Sequence, residues 1–497
     1  MKNFIKFSLT IIAFSVLIIS PGCSDFLEEE VYSEYDPNKF LQDKAGVDAL
    51  LTGAYSSMAI TDVAHRDYAS ILSEFPTDIA WETGGGLERL VIPIMQFNWD
   101  SNVGFFDTQY NKYYQAIARA NNVLLVAQSL KGVNEATITQ INAEARFIRG
   151  FSYYVLHDLF GPTPIIEIPS GSSLDEIERI GKQTPKATEA QYRAYVEADL
   201  TFAAKNLKPS AVSSRANLGS SWALLSKFHL SNREWQKAAD AAAEVLKLDY
   251  ALYTDYTKLF AIEGENNKEY ILRFECLPGP TSPQSNLYMA HAFPPSYPIL
   301  STWTNFGAQF RTFTAFYEKF DLVDLRRKLF IDEYTQIGAT TVTKLSRDAS
   351  GKALDNVRSF KFLPDPGGIG DRHGNDIPYI RLADIILSRA EALNELNGPN
   401  QESIDLINRI RNRAKVNPVN LGTFISKESL RDFILDERGK EFFSEGKRRE
   451  DLIRHNKFIQ QAIDRGIQAK PHQVLYPLPK AQIDNNPNLK QNDGYTK

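Results

Sequence analysis

The stretch that decides the fold runs from Trp222 to Leu248 and reads WALLSKFHLSNREWQKAADAAAEVLKL. Its apolar residues recur every three or four positions on both sides of Ser231-Asn232, which is typical of two amphipathic helices joined by a short turn. The positions expected to face each other alternate small and bulky side chains: Ala223, Leu224, Phe228, Trp235, Ala238, Ala242 and Leu246. Since small residues opposite large ones let helices approach closely, the stretch predicts a tightly packed antiparallel hairpin.

The hairpin pattern extends beyond this stretch. Its spacing resembles a tetratricopeptide unit, although the turn glycine of that repeat is absent. Weaker hairpin patterns occupy 141–160 and 379–414. Stacked hairpins would form a solenoid-like platform, while an ordinary helical bundle would also produce alanine-rich hairpins. We therefore predict a mainly α fold, a tetratricopeptide-like helical-hairpin platform with a loop-rich second half and few short strands.

Helical periodicity alternates with two irregular regions. The irregular regions are 61–104, with Gly84 to Gly86 in its middle, and 251–376, which is rich in proline and has short β-like runs at 341–345 and 359–363. Long insertions of this kind are usually functional. We expect an N-terminal domain over 37–250 and a C-terminal domain over 251–497. The predicted helices are 37–58, 107–130, 137–159, 189–207, 215–231, 234–247, 379–396, 401–414, 428–445 and 447–466.

The first 36 residues have the pattern of an export signal followed by a tether. Two lysines precede an apolar run at 7–19, which is too short to cross about 30 Å of hydrocarbon. We therefore predict a cleaved signal peptide over 1–22. Cys23 would then be the first residue after the cut and would carry a diacylglycerol, with 23–36 as an acidic tether. An ordinary secreted protein with an incidental cysteine is the alternative, because the residues before Cys23 lack the usual leucine.

Composition and motifs exclude several classes of function. The 497 residues carry a net charge of −5 and no long basic run, which argues against a nucleic-acid partner. With Cys23 lipidated, Cys276 has no disulfide partner. The seven histidines form no HxxxH or HExxH pair, there is no G-x-S-x-G elbow, and no P-loop lysine follows the triple glycine. We expect no metal-ligand residues, no cofactor and no catalytic residue, and the sequence leaves open whether calcium is bound.

Glycoside hydrolysis is the enzymatic alternative. It needs two carboxylates about 5–9.5 Å apart. Glu74, Asp78 and Glu82 have i, i+4, i+8 spacing, but an ordinary solvated helix face has the same spacing. Because a helical platform seldom has the deep cleft that this chemistry uses, we predict a binding protein rather than an enzyme.

Non-catalytic sugar binding fits the two irregular regions better. The apolar face of a pyranose ring stacks on Trp or Tyr, and its hydroxyl groups pair with Asp, Asn and Arg. For any single aromatic residue, packing in the core is the alternative. The first candidate set is Asp78, Trp81, Arg89, Asn98 and Trp99; the second is Tyr288, Phe293, Tyr297, Trp303 and Asn305.

Six ordered segments carry a resemblance to a known family. They are YNKYYQAIARANNVLL (110–125), EARFIRGFSYYVLHDLFGPTPI (144–165), PYIRLADIILSRAEALN (378–394), INRIRNRA (407–414), ERGKEFFSEGKRREDLIR (437–454) and YPLPKAQIDNNPNLKQNDGY (476–495). In these segments the chain resembles the SusD/RagB outer-membrane nutrient-binding lipoproteins of Bacteroidetes. Gly439, Lys440 and Arg449 depart from the family, which often has Arg-Arg and an aromatic residue there.

The resemblance implies a lipid-anchored outer-membrane protein that faces outward, captures glycan and delivers it to a SusC-type TonB-dependent transporter. A peptide-binding lid of the same transporter class and a scaffold without ligand contact stay open as alternatives. The matching segments are scaffold segments, so the candidate site residues depend on their chemistry alone. We interpret the charged run 437–454 as structural, with ion pairs at i, i+3 and i+4 spacing that hold a helix on the platform.

Overall fold

The computed structural model describes residues 44–282, 284–307 and 309–496. The predicted signal peptide (1–22), the lipidated Cys23, the acidic tether (23–36) and the start of the first helix lie outside the described residues, so these stay predictions. Within the described ranges, no helix is both long enough and apolar enough to cross a membrane.

Helices dominate both ends of the described chain. The α-helices, in order, are α1 Lys44–Met58, α2 Gly85–Met95, α3 Gly104–Ala127, α4 Glu135–Phe160, α5 Leu174–Gln183, α6 Glu189–Asn206, α7 Leu218–Ser231, α8 Trp235–Leu246, α9 Tyr288–Ala292, α10 Thr314–Tyr317, α11 Leu382–Asn397, α12 Gln401–Arg413, α13 Lys427–Phe442, α14 Arg448–Arg454, α15 Phe458–Asp464 and α16 Lys480–Asn485. A π-helix spans Asp62–Leu72, and short 3₁₀ turns occur at Tyr256–Lys258, Ile262–Gly264, Leu325–Leu329, Leu421–Thr423 and Pro471–Val474.

Neighbouring helices pack into one continuous stack. In spatial order, α1 packs on α3, α3 on α4, α4 on α6, α6 on α7, α7 on α8, α8 on α11, and α11 on both α12 and α13. The mainly α hairpin platform that the sequence predicts is therefore confirmed. Helices from beyond residue 251 join the same stack, and the proposed boundary at 250/251 stays a prediction.

The hairpin predicted from Trp222 to Leu248 forms as expected. Helix α7 ends at Ser231 and α8 begins at Trp235, and the facing residues Ala223, Phe228 and Ala238 are buried. The turn takes the left-handed conformation at Arg233, with φ of 59°, where the repeat would have glycine. Its guanidinium group donates to the carbonyl of Arg454 at 3.0 Å, which anchors the turn against the end of α14.

The helices differ from the prediction in several places, and the short helices α9, α10 and α16 were not predicted. The region 61–104 is not simply loop-rich, since it contains the π-helix and α2. Pro93 lies in the last turn of α2, where it removes one hydrogen bond within the helix. The sequence argument missed α5, and the predicted helix 447–466 is broken at Asn456, whose φ of 57° ends α14.

Short antiparallel strand pairs join distant parts of the chain. The strands are β1 Ala80–Glu82, β2 Tyr270–Phe274, β3 Phe310–Thr312, β4 Phe330–Ile331, β5 Glu333–Thr335, β6 Val342–Lys344, β7 Arg358–Ser359 and β8 Ile377–Arg381, paired as β1–β3, β2–β8, β4–β7 and β5–β6. The β1–β3 pair, in which Trp81 lies opposite Arg311, brings the two irregular regions together.

The charged run 437–454 is buried rather than solvated. Arg438 contacts Asp384 at 2.9 Å and Asp451 at 2.8 Å, and Arg454 contacts Glu391 at 2.6 Å. The structural role that we predicted is correct. The predicted spacing is wrong for most of the pairs, however, because they join elements far apart in sequence instead of neighbours on one helix face.

Arg381 lies at the centre of a second part of this buried ion network. Its guanidinium group contacts Glu269 at 2.8 Å, Glu441 at 2.6 Å and Glu445 at 2.8 Å. Arg413 also contacts Glu269 and Glu441.

Lys361 completes this cluster by contacting Glu445 at 2.5 Å. Arg326 also contacts Glu441, at 3.3 Å, and pairs with Asp324 and with Glu437, which Arg411 contacts in turn. Five carboxylates thus meet five cations, so the cluster is close to neutral, as buried charges require. It ties β8 to α12 and α13.

Candidate ligand-binding surface

Three aromatic rings from the second candidate set lie nearly parallel. The ring of Phe293 is 5.9 Å from that of Tyr297 and 5.8 Å from that of Trp303, with interplanar angles of 17° and 10°. Phe293 is fully buried between them, whereas Tyr297 and Trp303 are each partly exposed. The outer rings are therefore held in place by a core residue and still reach the solvent.

Backbone bonds fix the loop that carries these rings. Thr304 donates its N–H to the carbonyl of Gly370 at 2.7 Å, and Gly370 donates to the carbonyl of Thr302 at 2.7 Å. The hydroxyl of Tyr334 donates to the carbonyl of Pro295 at 2.7 Å. A loop pinned at both ends loses little entropy on binding, which favours affinity.

Exposed apolar side chains lie on the same loop as the outer rings and on the segment bridged to it. Leu300, Phe306 and Ile369 are 48%, 42% and 49% exposed. Phe306 is adjacent to the 302–304 segment, and Ile369 immediately precedes the bridge residue Gly370. We name the set Tyr297, Leu300, Trp303, Phe306 and Ile369 the aromatic surface. An exposed apolar cluster on a fixed loop is a feature of binding sites.

Two histidines packed against the aromatic surface are neutral. The ring of His291 lies 4.8 Å from that of Phe306, and burial lowers the pKa of His291 to about 4. The ring of His373 lies 5.4 Å from that of Trp303, and burial lowers its pKa as well. Both imidazoles are uncharged at neutral pH, so they favour an uncharged ligand over an ionic one.

The first candidate set is largely occupied by internal contacts. The indole N–H of Trp81 donates to the carbonyl of Asp355 at 2.8 Å, and its ring lies beside Phe313 with the guanidinium of Arg311 5.0 Å from its centre. Asp78 forms a two-pronged ion pair with Arg448, with both contacts at 2.7 Å.

Arg89 and Asn98 are exposed, as a ligand role requires. Trp81 and Trp303 have different ring partners, so the described contacts do not unite the two sets into a single cradle. A ligand role for the first set stays a prediction.

Two candidates are core residues. Trp99 is buried against Phe97 and Tyr476, and its indole N–H donates to the hydroxyl of Tyr495 at 2.8 Å. Tyr288 is buried as well, with its hydroxyl 2.9 Å from that of Ser444. We correct the expectation that they form part of an exposed surface, because packing covers both rings.

Three members of the aromatic surface were not predicted from the sequence. Phe306 lies only three residues after Trp303, so the available signal was its closeness to a residue already chosen. Leu300 and Ile369 gave no signal, since aliphatic residues in a proline-rich or glycine-rich loop are ordinary.

The three carboxylates considered for hydrolysis do not form a helix face. Glu74 and Asp78 lie in turns and Glu82 lies in β1. Burial raises the pKa of Glu74 to about 8, and the group accepts a hydrogen bond from the N–H of Gly446 at 3.1 Å. Burial also raises the pKa of Glu82 to about 8, helped by the charge of Glu88. The spacing therefore reflects internal packing.

One group of side chains has the geometry of metal ligands among the residues that the structure describes. It consists of Glu197, His229 and Glu234. Lys237 contacts Glu197 at 2.8 Å and Arg193 contacts Glu234 at 2.6 Å, so cations of the protein already neutralise both carboxylates. This group supports ion pairing between helices rather than metal binding.

A stack of helical hairpins that carries a fixed, neutral, apolar surface on its loops defines a class of platform-like binding proteins. The chain belongs to one such family, the SusD/RagB family. A family model described as the SusD family matches residues 358–495, and one described as starch-binding associating with outer membrane matches residues 25–230.

Individual relatives agree with this assignment. SusD-like protein P2 of Formosa agariphila is 27% identical, over 99% of this chain and 100% of that protein. The starch-binding protein SusD of Bacteroides thetaiotaomicron is 23% identical, over 85% of this chain and 84% of that protein. The solved structure of surface glycan-binding protein A from B. thetaiotaomicron, in complex with laminarihexaose, matches with a TM-score of 0.73 at 18% identity, over 90% of this chain and 99% of that chain.

Proposed function

We propose that this protein is an outer-membrane lipoprotein that binds glycan on its aromatic surface and delivers it to a partner TonB-dependent transporter. The observation that carries the proposal is the near-parallel set of Tyr297, Phe293 and Trp303, whose outer rings are partly exposed on a pinned loop. Flat apolar rings held at fixed spacing are the chemistry that pyranose faces need.

The two imidazoles beneath the aromatic surface fit an uncharged ligand such as glycan. His291 and His373 contribute no charge near neutral pH, because burial lowers both pKa values. Two relatives also point to glycan, since one is named starch-binding and the other was solved with laminarihexaose. Stacking with a few hydrogen bonds gives affinities of about micromolar to millimolar. We expect binding without hydrolysis.

The location and the partner follow from the family resemblance. Cys23, outside the described residues, would carry the lipid that holds the protein on the outer membrane. The name of the matching family model, starch-binding associating with outer membrane, supports this placement. The protein would pass glycan to a SusC-type transporter beneath it. Residues 37–250 and 251–497 would form its two domains.

Affinity electrophoresis of the purified protein in gels containing laminarin or starch tests the proposal. Trp303→Ala and Phe306→Ala should each reduce retention at least several-fold, since each removes a stacking face. Leu322→Ala is the matched control, because Leu322 is 87% exposed and belongs to another loop. Equal retention of all three variants and wild type would refute the proposed surface, and release of reducing ends would contradict a purely binding function.

A further inference from the structure

A cavity lies among residues that do not belong to the aromatic surface. It has a volume of about 480 Å³ and opens between the 209–213 loop, the segment that follows α8, and β2. That volume is within the range of small-molecule sites, roughly 300–1,000 Å³. These residues belong neither to the two candidate sets chosen from the sequence nor to the aromatic surface.

One wall of the cavity is apolar and firmly positioned. Tyr250 packs directly on Gly219, where an added Cβ would lie only 2.1 Å from the tyrosine oxygen. Its hydroxyl donates to Asn217 at 3.3 Å. Leu248 and Pro209 line the cavity beside the ring. The tyrosine is therefore held by its hydroxyl end, which leaves a ring in the cavity wall.

The opposite wall provides donors and acceptors. The side chain of Arg273 is only 11% exposed, and its Nη1 donates to the carbonyl of Glu265 at 2.6 Å and contacts Asp376 at 3.1 Å. Its Nε has no hydrogen-bond acceptor among the described residues. Glu265 and Asn266 line the cavity next to it.

The lining residues carry charges of both signs, which favours a neutral ligand. An anion near Arg273 would meet the carboxylates of Glu265 and Asp249, which line the cavity, and a metal ion would meet Arg273 and Lys268. A neutral group with several hydroxyls can accept from the arginine and donate to the carboxylates at the same time. An apolar ring wall opposite such a polar wall matches the two faces of a sugar.

We propose that this cavity is a second ligand site, which takes a single neutral sugar residue against Tyr250 and Arg273. The choice of sugar over other neutral polyols rests on the proposed function. The ion pair of Lys268 with Asp249, at 2.6 Å, lies between two residues that line the cavity and are themselves well exposed. It can open at little cost to admit the ligand, because exposed pairs are weak.

Hydrogen exchange measured by mass spectrometry tests the site on the full chain in detergent. The probes are glucose, galactose, mannose and xylose at millimolar concentration, and laminarihexaose. In the wild type, at least one monosaccharide should slow exchange in residues 248–273. Ala211→Trp should weaken this protection at least tenfold, because Ala211 is an exposed loop residue that lines the cavity.

Val212→Trp is the matched control. Val212 is the next residue of the same loop, is also exposed, and lines the neighbouring cavity instead. It should retain the protection, as should Trp303→Ala. Equal protection in Ala211→Trp and wild type, or no protection at 248–273 with any probe, would overturn the second site.

The two proposals fail separately. Protection of residues 297–306 by laminarihexaose without any effect at 248–273 would remove the second site and leave the aromatic surface standing. Protection at 248–273 alone would remove the aromatic surface and leave the second site.

Discussion

Replacing Arg381 with methionine tests whether the buried ion network holds the platform together. The arginine contacts three carboxylates at 2.6–2.8 Å and is 1% exposed. Without Arg381, the cations that still contact Glu269, Glu441 and Glu445 are Arg413, Lys361 and Arg326, so the whole network changes from neutral to a net charge of −1. Removing one partner of a buried pair costs about 3–5 kcal/mol.

The expected change in melting temperature follows from the size of the protein. The entropy of unfolding is about 2.1 cal/mol/K per residue, or roughly 1 kcal/mol/K for the described chain if it unfolds as one unit. Arg381→Met should therefore lower the melting temperature by about 3–5 °C at pH 7. Differential scanning calorimetry of the full chain in detergent measures it directly.

Arg347→Met is the matched control. Arg347 makes a two-pronged ion pair with Glu318, at 2.5 and 2.6 Å, on the surface. Because solvent screens such pairs, we expect little change in melting temperature. Similar losses for both variants would show that burial is not what makes the Arg381 cluster important.

The pH dependence of the melting temperature is a stricter test of the same cluster. Burial opposes ionisation of Glu441, yet the charges of Arg413, Arg381 and Arg326 lower its pKa to about 2. A lowered pKa in the folded state adds stability above the unfolded value of about 4.5, and this stability is lost as pH falls towards 2. Because Arg381→Met removes part of that effect, the gap between variant and wild type should narrow below pH 4.5. A constant gap from pH 7 to pH 3 would refute the reasoning.

Three further predictions concern single positions. Glu82→Gln should raise the melting temperature at pH 8 and change it little at pH 4. The reason is that the raised pKa of Glu82 makes wild-type stability fall as pH rises from about 4.5 towards 8. Equal effects at both pH values in thermal denaturation would contradict this. Gly446→Ala should destabilise by about 2–4 kcal/mol in urea unfolding, since Gly446 has φ of 71° and the new Cβ would lie 2.5 Å from Ala69; an unchanged midpoint would argue against this packing. Trp99→Ala should destabilise by about 3–5 kcal/mol yet leave retention in laminarin gels unchanged below its melting temperature, whereas weaker retention would return Trp99 to the ligand site.

The helical platform was accessible from sequence because its signals are local. The α7–α8 hairpin follows from the spacing of alanine and aromatic residues, and α7 begins and ends within a few residues of its predicted bounds. The π-helix and α2 were not accessible in the same way. Their region contains Pro93 and three consecutive glycines, which normally mark loops, and packing overrides that preference here.

The candidate site was only partly predictable, since aromatic residues serve cores and surfaces alike. Tyr297 and Trp303 lie at the surface, while Tyr288, from the same stretch, is buried against Ser444. No local pattern distinguishes them, because burial depends on which distant segment covers each ring. The ion network shows the same limit, since partners such as Arg381 and Glu441 are separated by two helices in sequence.

Helix α8 presents the small residues Ala238 and Ala239 to Ala392 of α11, and Arg389 of α11 donates to the carbonyl of Ala239 at 2.6 Å. During synthesis, the part of the chain that contains α8 emerges long before the part that contains α11. Until the later part arrives, one face of the hairpin has no cover and stays open to wrong partners. The hairpin is therefore most prone to misfold between the synthesis of α8 and the synthesis of α11. A chaperone that binds unfolded chains would have its greatest effect in that interval.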